Sequence, residues 1–152
     1  MNLTPHFKLS EFTRSNTAQK LGLDNTPTDG ALVNLPRTAQ MLESVRAHLG
    51  VPITITSGYR CPALNRAVGG ATSSDHAQGM AADVVAPKFG TPYELAKALA
   101  PHIDALGIGQ IIYEVSGKSQ WVHLSVRVPD RTSNRVITIV VGKGAQLGIQ
   151  RV

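Results

Sequence analysis

The sequence predicts an α+β fold, a mostly antiparallel sheet with helices packed on one face. Three observations carry this. One stretch, 34–49, has apolar residues at helical spacing. Five runs, 53–56, 81–86, 108–115, 121–128 and 136–141, read as strands, the first of them β-branched throughout. Their order is helices first, then strands with helices between them, then a run of strands, which argues against a regular βαβ alternation. No internal repeat and no linker divides the chain, so it is read as a single domain over residues 1–152.

Residues 1–33 read as short, irregular helical pieces. Ser10 and Asn16 are N-cap candidates and Gly22 is a stop. Phe7, Leu9, Phe12, Leu21 and Leu23 are expected to clip this segment onto the body, and Asn25 to Gly30 reads as a turn-rich loop. Asn34 is then expected to cap a helix with Pro36 in its first turn, and Leu35, Leu42, Val45 and Leu49 form its apolar face. Gly50 and Pro52 end it. Ile53 to Thr56 is a strand, and Ser57-Gly58-Tyr59-Arg60 follows at its end, where functional loops are common.

Cys61 to Val68 is a short helix broken by Gly69-Gly70, a pair that supplies turn geometry. Ala71 to Asp75 leads flexibly to His76, and Ala81 to Ala86 is the next strand. Thr91-Pro92-Tyr93-Glu94 has the form of a capping box and opens a helix through about Leu99. Ile108 to Val115 and Trp121 to Val128 are strands joined by a polar four-residue loop, Ser116 to Ser119. Val136 to Val141 is expected to be the last strand, at an edge, with a loose Gly-rich tail over 142–152.

A hydrophobic content of 42% against 16% charged residues fits a packed globule and excludes a disordered chain. The net charge of +5 favours an acidic partner. Nucleic acid is not expected, because no basic helix or aromatic-basic platform accompanies the charge. No segment has the length and apolarity of a membrane span or of a signal peptide. Cys61, the single cysteine, has no intrachain partner, which fits synthesis in a reducing compartment, and no histidine beside it argues for a nucleophile. The expectation is a monomer made in the cytoplasm without a signal peptide.

The stretch Ser74-Asp-His-Ala-Gln-Gly-Met-Ala-Ala-Asp83 carries the chemistry. Asp83 precedes Val84 and Val85, so it rides on an apolar strand, where a lone acid is costly unless paired. A cation would pair it. His76 lies seven residues earlier, and zinc takes both histidine nitrogen and aspartate oxygen. In Trp121-Val-His-Leu-Ser125, alternation puts Trp121, His123 and Ser125 on the face opposite Val122 and Leu124, which makes His123 the third ligand candidate. His6, His48 and His102 have no motif around them.

Ser-x-His-x-x-Gly-x-Ala-x-Asp, preceded by Ser57-Gly-Tyr-Arg60, Leu64-Asn65 and Val68-Gly-Gly70 and followed by Trp121-Val-His123, resembles the zinc D-alanyl-D-alanine carboxypeptidase family. That family includes phage and prophage peptidoglycan peptidases and shares the hedgehog-type fold. The resemblance runs from about Phe7 to Ser125. It implies one zinc ion on His76, Asp83 and His123. It implies that Arg60 grips a substrate carboxylate or the developing oxyanion, and that the substrate is a peptidoglycan stem peptide with D-amino acids. Tyr59, Ser74, Gln78 and Trp121 join Arg60 as substrate-side candidates, Ser74 and Gln78 as hydrogen-bonding supports and Trp121 as a packing residue at the rim. An enzyme of this kind would act on the wall after release from the cell or from a phage particle.

The general acid/base is the open point of the resemblance. Some branches carry a glutamate three residues before the last histidine, where this chain has Gln120, which cannot accept a proton. The phage-type branch places the glutamate at the end of the preceding strand, as Glu114 stands here. A four-residue hairpin loop would set Glu114 opposite Trp121 and diagonal to His123, with Gln120 facing away, whereas a one-residue change in loop length would invert this. Gln120 keeps an alternative in view, a zinc-binding virion or wall-binding module without activity.

Overall fold

The computed structural model describes residues 1–129, 131 and 134–152. The chain opens with a small hairpin, β1 (Asn2–Thr4) and β2 (Phe7–Lys8), followed by α1 (Leu9–Thr13) and α2 (Asn16–Leu21). Short helices were expected here and the hairpin was not. Glu11 closes α1 by accepting from the Lys8 N–H at 2.8 Å, so Ser10 lies inside the helix rather than at its cap. Ser15, not Asn16, caps α2, its Oγ accepting from the Ala18 N–H at 3.0 Å. Phe7 and Phe12 are buried and clip the segment onto the core, whereas Leu21 is 54% exposed and does not.

Helix α3 runs Asp29–Leu49 and is longer than expected. Thr28 caps it, accepting from the Ala31 N–H at 3.2 Å. Asn34 and Pro36 imitate a helix start but lie inside it. Pro36 is exposed. Its usual interior cost of about 3 kcal/mol is outweighed by an apolar face that continues through Ala31, Leu35, Ala39, Leu42 and Val45, all buried. The Asn34 side chain serves a tertiary contact instead, donating to the Gln78 carbonyl at 2.9 Å.

β3 (Thr54–Ser57), α4 (Pro62–Ala67), a 3₁₀ turn (Asp75–Gln78), β4 (Ala81–Val85) and α5 (Pro92–Leu99) follow. Thr91 and Glu94 form the predicted capping box. β5 (Ile108–Ser116) and β6 (Ser119–Val126) make a hairpin whose turn is two residues, Gly117-Lys118, because Ser116 and Ser119 still pair. The register is nonetheless the expected one, with Glu114 opposite Trp121 and Ile112 opposite His123.

β7 (Arg135–Val140) and β8 (Gly144–Leu147) complete a sheet of order β3-β4-β6-β5-β7-β8, antiparallel at every step except β5 to β7. β7 is therefore neither last nor at the edge. The residues after Gly142 form the edge strand β8, and the Gln150 N–H donates to Thr138 Oγ1 at 2.8 Å beyond it.

α5 packs on β5 and β6, and α3 packs on β6. They cover the face that carries Val84, Ile111, Val122 and Leu124, each fully buried. The opposite face presents three cross-strand rows: Ala81-Ser125-Gln110-Arg135, then Asp83-His123-Ile112-Ile137, then Trp121-Glu114-Ile139. Pleating alone puts these side chains together.

Candidate active site

Asp83 and His123 are Cα partners across β4 and β6, so their side chains leave the sheet on the same side. His76 reaches them from the 3₁₀ turn, whose first turn Ser74 holds by accepting from the His76 N–H at 3.2 Å. Three atoms meet: His76 Nε2, His123 Nδ1 and Asp83 Oδ1. Their separations are 3.1, 3.1 and 3.2 Å. All three residues are buried, and together they form a group able to hold a metal ion.

The other ring atoms decide what this triangle is. His76 Nδ1 lies 2.8 Å from the Gly58 carbonyl, which only an N–H can satisfy. That proton leaves Nε2 with its lone pair. His123 Nε2 lies 2.8 Å from Ser125 Oγ, and Ser125 in turn donates to Gln110 Oε1 at 3.4 Å. The hydroxyl proton is thus engaged, so His123 Nε2 is the donor and Nδ1 also carries a lone pair. Two lone pairs and a carboxylate oxygen then face one another in a buried space, which is repulsive without a cation between them. Bonds of about 2.0–2.2 Å to such atoms set tetrahedral ligands roughly 3.3–3.6 Å apart, a few tenths of an ångström wider than this triangle. The donor set fits a metal.

Arg60 stands at the side of Asp83. Its guanidinium donates to Ser57 Oγ at 3.3 Å, Asn65 Oδ1 at 3.4 Å and Asp83 Oδ2 at 3.5 Å. Two of its five N–H donors remain for the cleft. Asn65 is buried, and it also donates to the Ala71 carbonyl at 2.7 Å, tying α4 to the loop that walls the site. Gly70 is required there, because a Cβ would lie 2.1 Å from Asn65 Oδ1. Gly58 is required for a similar reason, since a Cβ would lie 2.5 Å from the Phe12 carbonyl oxygen.

A cleft of about 850 Å³ opens over the triad. Arg60, Ser74, Glu114 and Trp121 all line it, as the sequence expects. Tyr59 and Gln78 do not. Tyr59 turns into the core and is 2% exposed, because the loop after β3 is pinned inward by Asn25, which bonds the Tyr59 carbonyl and the Cys61 N–H. Gln78 is exposed outside the cleft, its carbonyl held by Asn34. Gln120 lies on the helix-covered side of the sheet, where its Oε1 accepts from the Tyr113 hydroxyl at 2.8 Å.

Glu114 is half-buried, one row along from His123. Burial pushes its carboxyl above the ordinary glutamate value, and the negative charge of Asp83 adds to this against the opposing charge of Arg60. A carboxylate with raised proton affinity suits proton transfer near neutral pH.

Several contributors escape a reading of the sequence. The Ser125-Gln110 relay behind His123 depends on cross-strand register. Arg131 holds Asp75 in a two-point ion pair at 2.8 and 2.9 Å across 56 residues of chain, a partnership with no local signal. Alternation along β5 and β6 would have nominated Gln110 and Ser125 as facing the site, though not as partners.

A family model described as Peptidase M15 matches residues 5–125. Among solved structures, the chain is similar to the L-Ala D-Glu endopeptidase ChiX of Serratia marcescens. Identity is 24% and the TM-score 0.40, over 65% of this chain and 87% of that one. No curated protein sequence matches the chain.

Proposed function

Because this chain belongs to the peptidase M15 family, we propose that it is a zinc peptidase that hydrolyses D-amino-acid-containing bonds in peptidoglycan stem peptides, as a D-Ala-D-Ala carboxypeptidase or an endolysin-type endopeptidase. One observation carries the reading: a buried His76-Asp83-His123 triangle of lone pairs meets, through His76 and His123, the cleft that Glu114 and Arg60 also line. The two-histidine, one-carboxylate set with room for a further ligand is a zinc set of the catalytic kind.

Zinc held by these residues supplies the Lewis acidity that polarises the scissile carbonyl and acidifies the attacking water. Glu114 takes the proton of that water as its oxygen bonds to the carbonyl carbon. It returns the proton to the amine nitrogen as the C–N bond breaks. Arg60 directs its remaining N–H donors at a substrate carboxylate or at the oxyanion. Ser125 and the Gly58 carbonyl keep the two imidazoles in the ligating tautomer. Ser74 orders the turn carrying His76, and Trp121 forms a cleft wall. The protein is proposed to act as a monomeric domain on the wall after release from the cell or carriage in a phage particle. The net positive charge assists approach to an anionic polymer. No helix among the described residues is long and apolar enough to cross a membrane.

The test is mass spectrometry of products from defined muropeptides, with a chelator and with zinc restored. Hydrolysis at a bond flanked by a D-residue, lost with chelation and regained with zinc, is expected. Intact muropeptides in the presence of one zinc per chain would favour the inactive wall-binding module.

A further inference from the structure

Three arginines line the cleft: Arg60, Arg131 and Arg135. Arg60 is engaged with Ser57, Asn65 and Asp83, and Arg131 with Asp75. The Arg135 side chain is exposed and makes no hydrogen bond or ion pair among the described residues. Its backbone position is set by the sheet. Arg135 is the first residue of β7 and the Cα partner of Gln110. Gln110 spends its Oε1 on Ser125, so its amide N–H groups remain beside Arg135. The two belong to the row next to the metal triad, on the side away from Glu114 and Trp121.

We propose that Arg135, with Gln110 beside it, is a specificity-determining residue that binds a second carboxylate of the substrate, two to three residues from the bond that is cut. This rests on the peptidase reading above and adds to it a preference for acidic peptides. The sheet sets the distance. Arg135 lies two strands from His123 and two residues off its row, roughly 10 Å across and 7 Å along, or about 12 Å between Cα atoms. An extended peptide advances about 3.3–3.6 Å per residue. An arginine side chain reaching back along the cleft therefore meets a group two to three residues from the reacting carbonyl. Arg60 cannot serve the same carboxylate, because it is tied to Asp83 at the other side of the triad.

Binding tests this without turnover. Zinc-loaded Glu114→Gln protein is titrated calorimetrically with synthetic stem pentapeptides in which each carboxylate in turn is replaced by its carboxamide. One replacement is expected to weaken binding about three- to tenfold, the modest effect of a solvent-exposed cation. That preference should shrink with added salt. Adding Arg135→Gln should abolish it, and Arg135→Lys should keep part of it, with zinc content and melting temperature unchanged. If Arg135→Gln leaves every carboxylate preference intact, or if no pentapeptide binds, the inference is overturned. Hydrolysis of the same pentapeptides by the wild-type protein is scored separately. Cleavage without an Arg135-dependent preference removes this inference alone, and absence of cleavage removes the peptidase reading.

Discussion

Replacing Glu114 by glutamine removes a proton acceptor and keeps the side chain's size. The position is set by the β5-β6 register, which puts Glu114 opposite Trp121 and diagonal to His123. Diagonal neighbours lie about 7–8 Å apart at the backbone, within reach of one water beside the triad. A general acid–base group contributes roughly 10²–10⁴-fold, so Glu114→Gln should lose about 2.7–5.4 kcal/mol of barrier lowering at 1.36 kcal/mol per decade. Glu114→Asp withdraws the carboxylate by one methylene and should fall between the two. The assay is initial rate on a defined muropeptide by mass spectrometry, with metal content measured in the same sample. Gln120→Ala should be mild, because Gln120 bonds Tyr113 on the other side of the sheet. For the same reason Gln120→Glu should not rescue Glu114→Gln. Near-normal turnover in Glu114→Gln at one zinc per chain would refute the assignment and the register argument behind it.

His76→Ala and His123→Ala should each abolish stoichiometric zinc by metal analysis, and full retention in either removes that ligand. Ser125→Ala deletes the partner of His123 Nε2 and should weaken zinc about 10–100-fold in a competition titration with a chelator. Gly70→Ala forces a Cβ against Asn65 and should lower both melting temperature and activity. A melting curve unchanged from wild type would show that the loop yields. Arg131 holds the Asp75 carboxyl below its ordinary value despite burial. The depressed group contributes stability that is full above the unfolded value of about 3.9 and is lost as pH falls through the folded one. Asp75→Asn should therefore destabilise the protein at neutral pH and flatten the acid limb of its stability profile, read by thermal melts.

What was legible in the sequence follows from what local patterns encode. β6 alternates because one face meets α3 and α5 and the other meets the cleft, so His123 and Ser125 were assignable to the site face from a few residues. The hairpin register survived an error in turn length, since Ser116 and Ser119 pair without changing the partner of Glu114. β8 was illegible because all four of its residues are exposed, and a strand with no buried face shows no alternation. The start of α3 was misread because Asn34 and Pro36 form a plausible start signal, while the true cap, Thr28, follows a loop rich in turn residues. Tyr59 and Gln78 lie outside the cleft because neighbours in sequence to Arg60 and His76 need not face the same way. Asn25 and Asn34 hold their backbone carbonyls.

The site is held by the far atom of each ligand. His76 uses its second nitrogen on Gly58, His123 on Ser125, and Asp83 offers its second oxygen to Arg60. Each contact orients one of the three side chains, and on the proposed function the third would join the metal site to substrate recognition. Removing Arg60 entirely would leave a buried carboxylate oxygen without its cation as well as a cleft without its anion receptor, so Arg60→Ala cannot separate the two roles. Arg60→Lys retains a positive charge for Asp83 but loses the planar fork that matches a carboxylate. Under this reading Arg60→Lys keeps its zinc and loses much of kcat/KM on a substrate with a free carboxylate, while the loss on the corresponding amide is small. Equal losses on acid and amide would instead place the whole role of Arg60 at Asp83, as a support for the ligand rather than a receptor for the substrate.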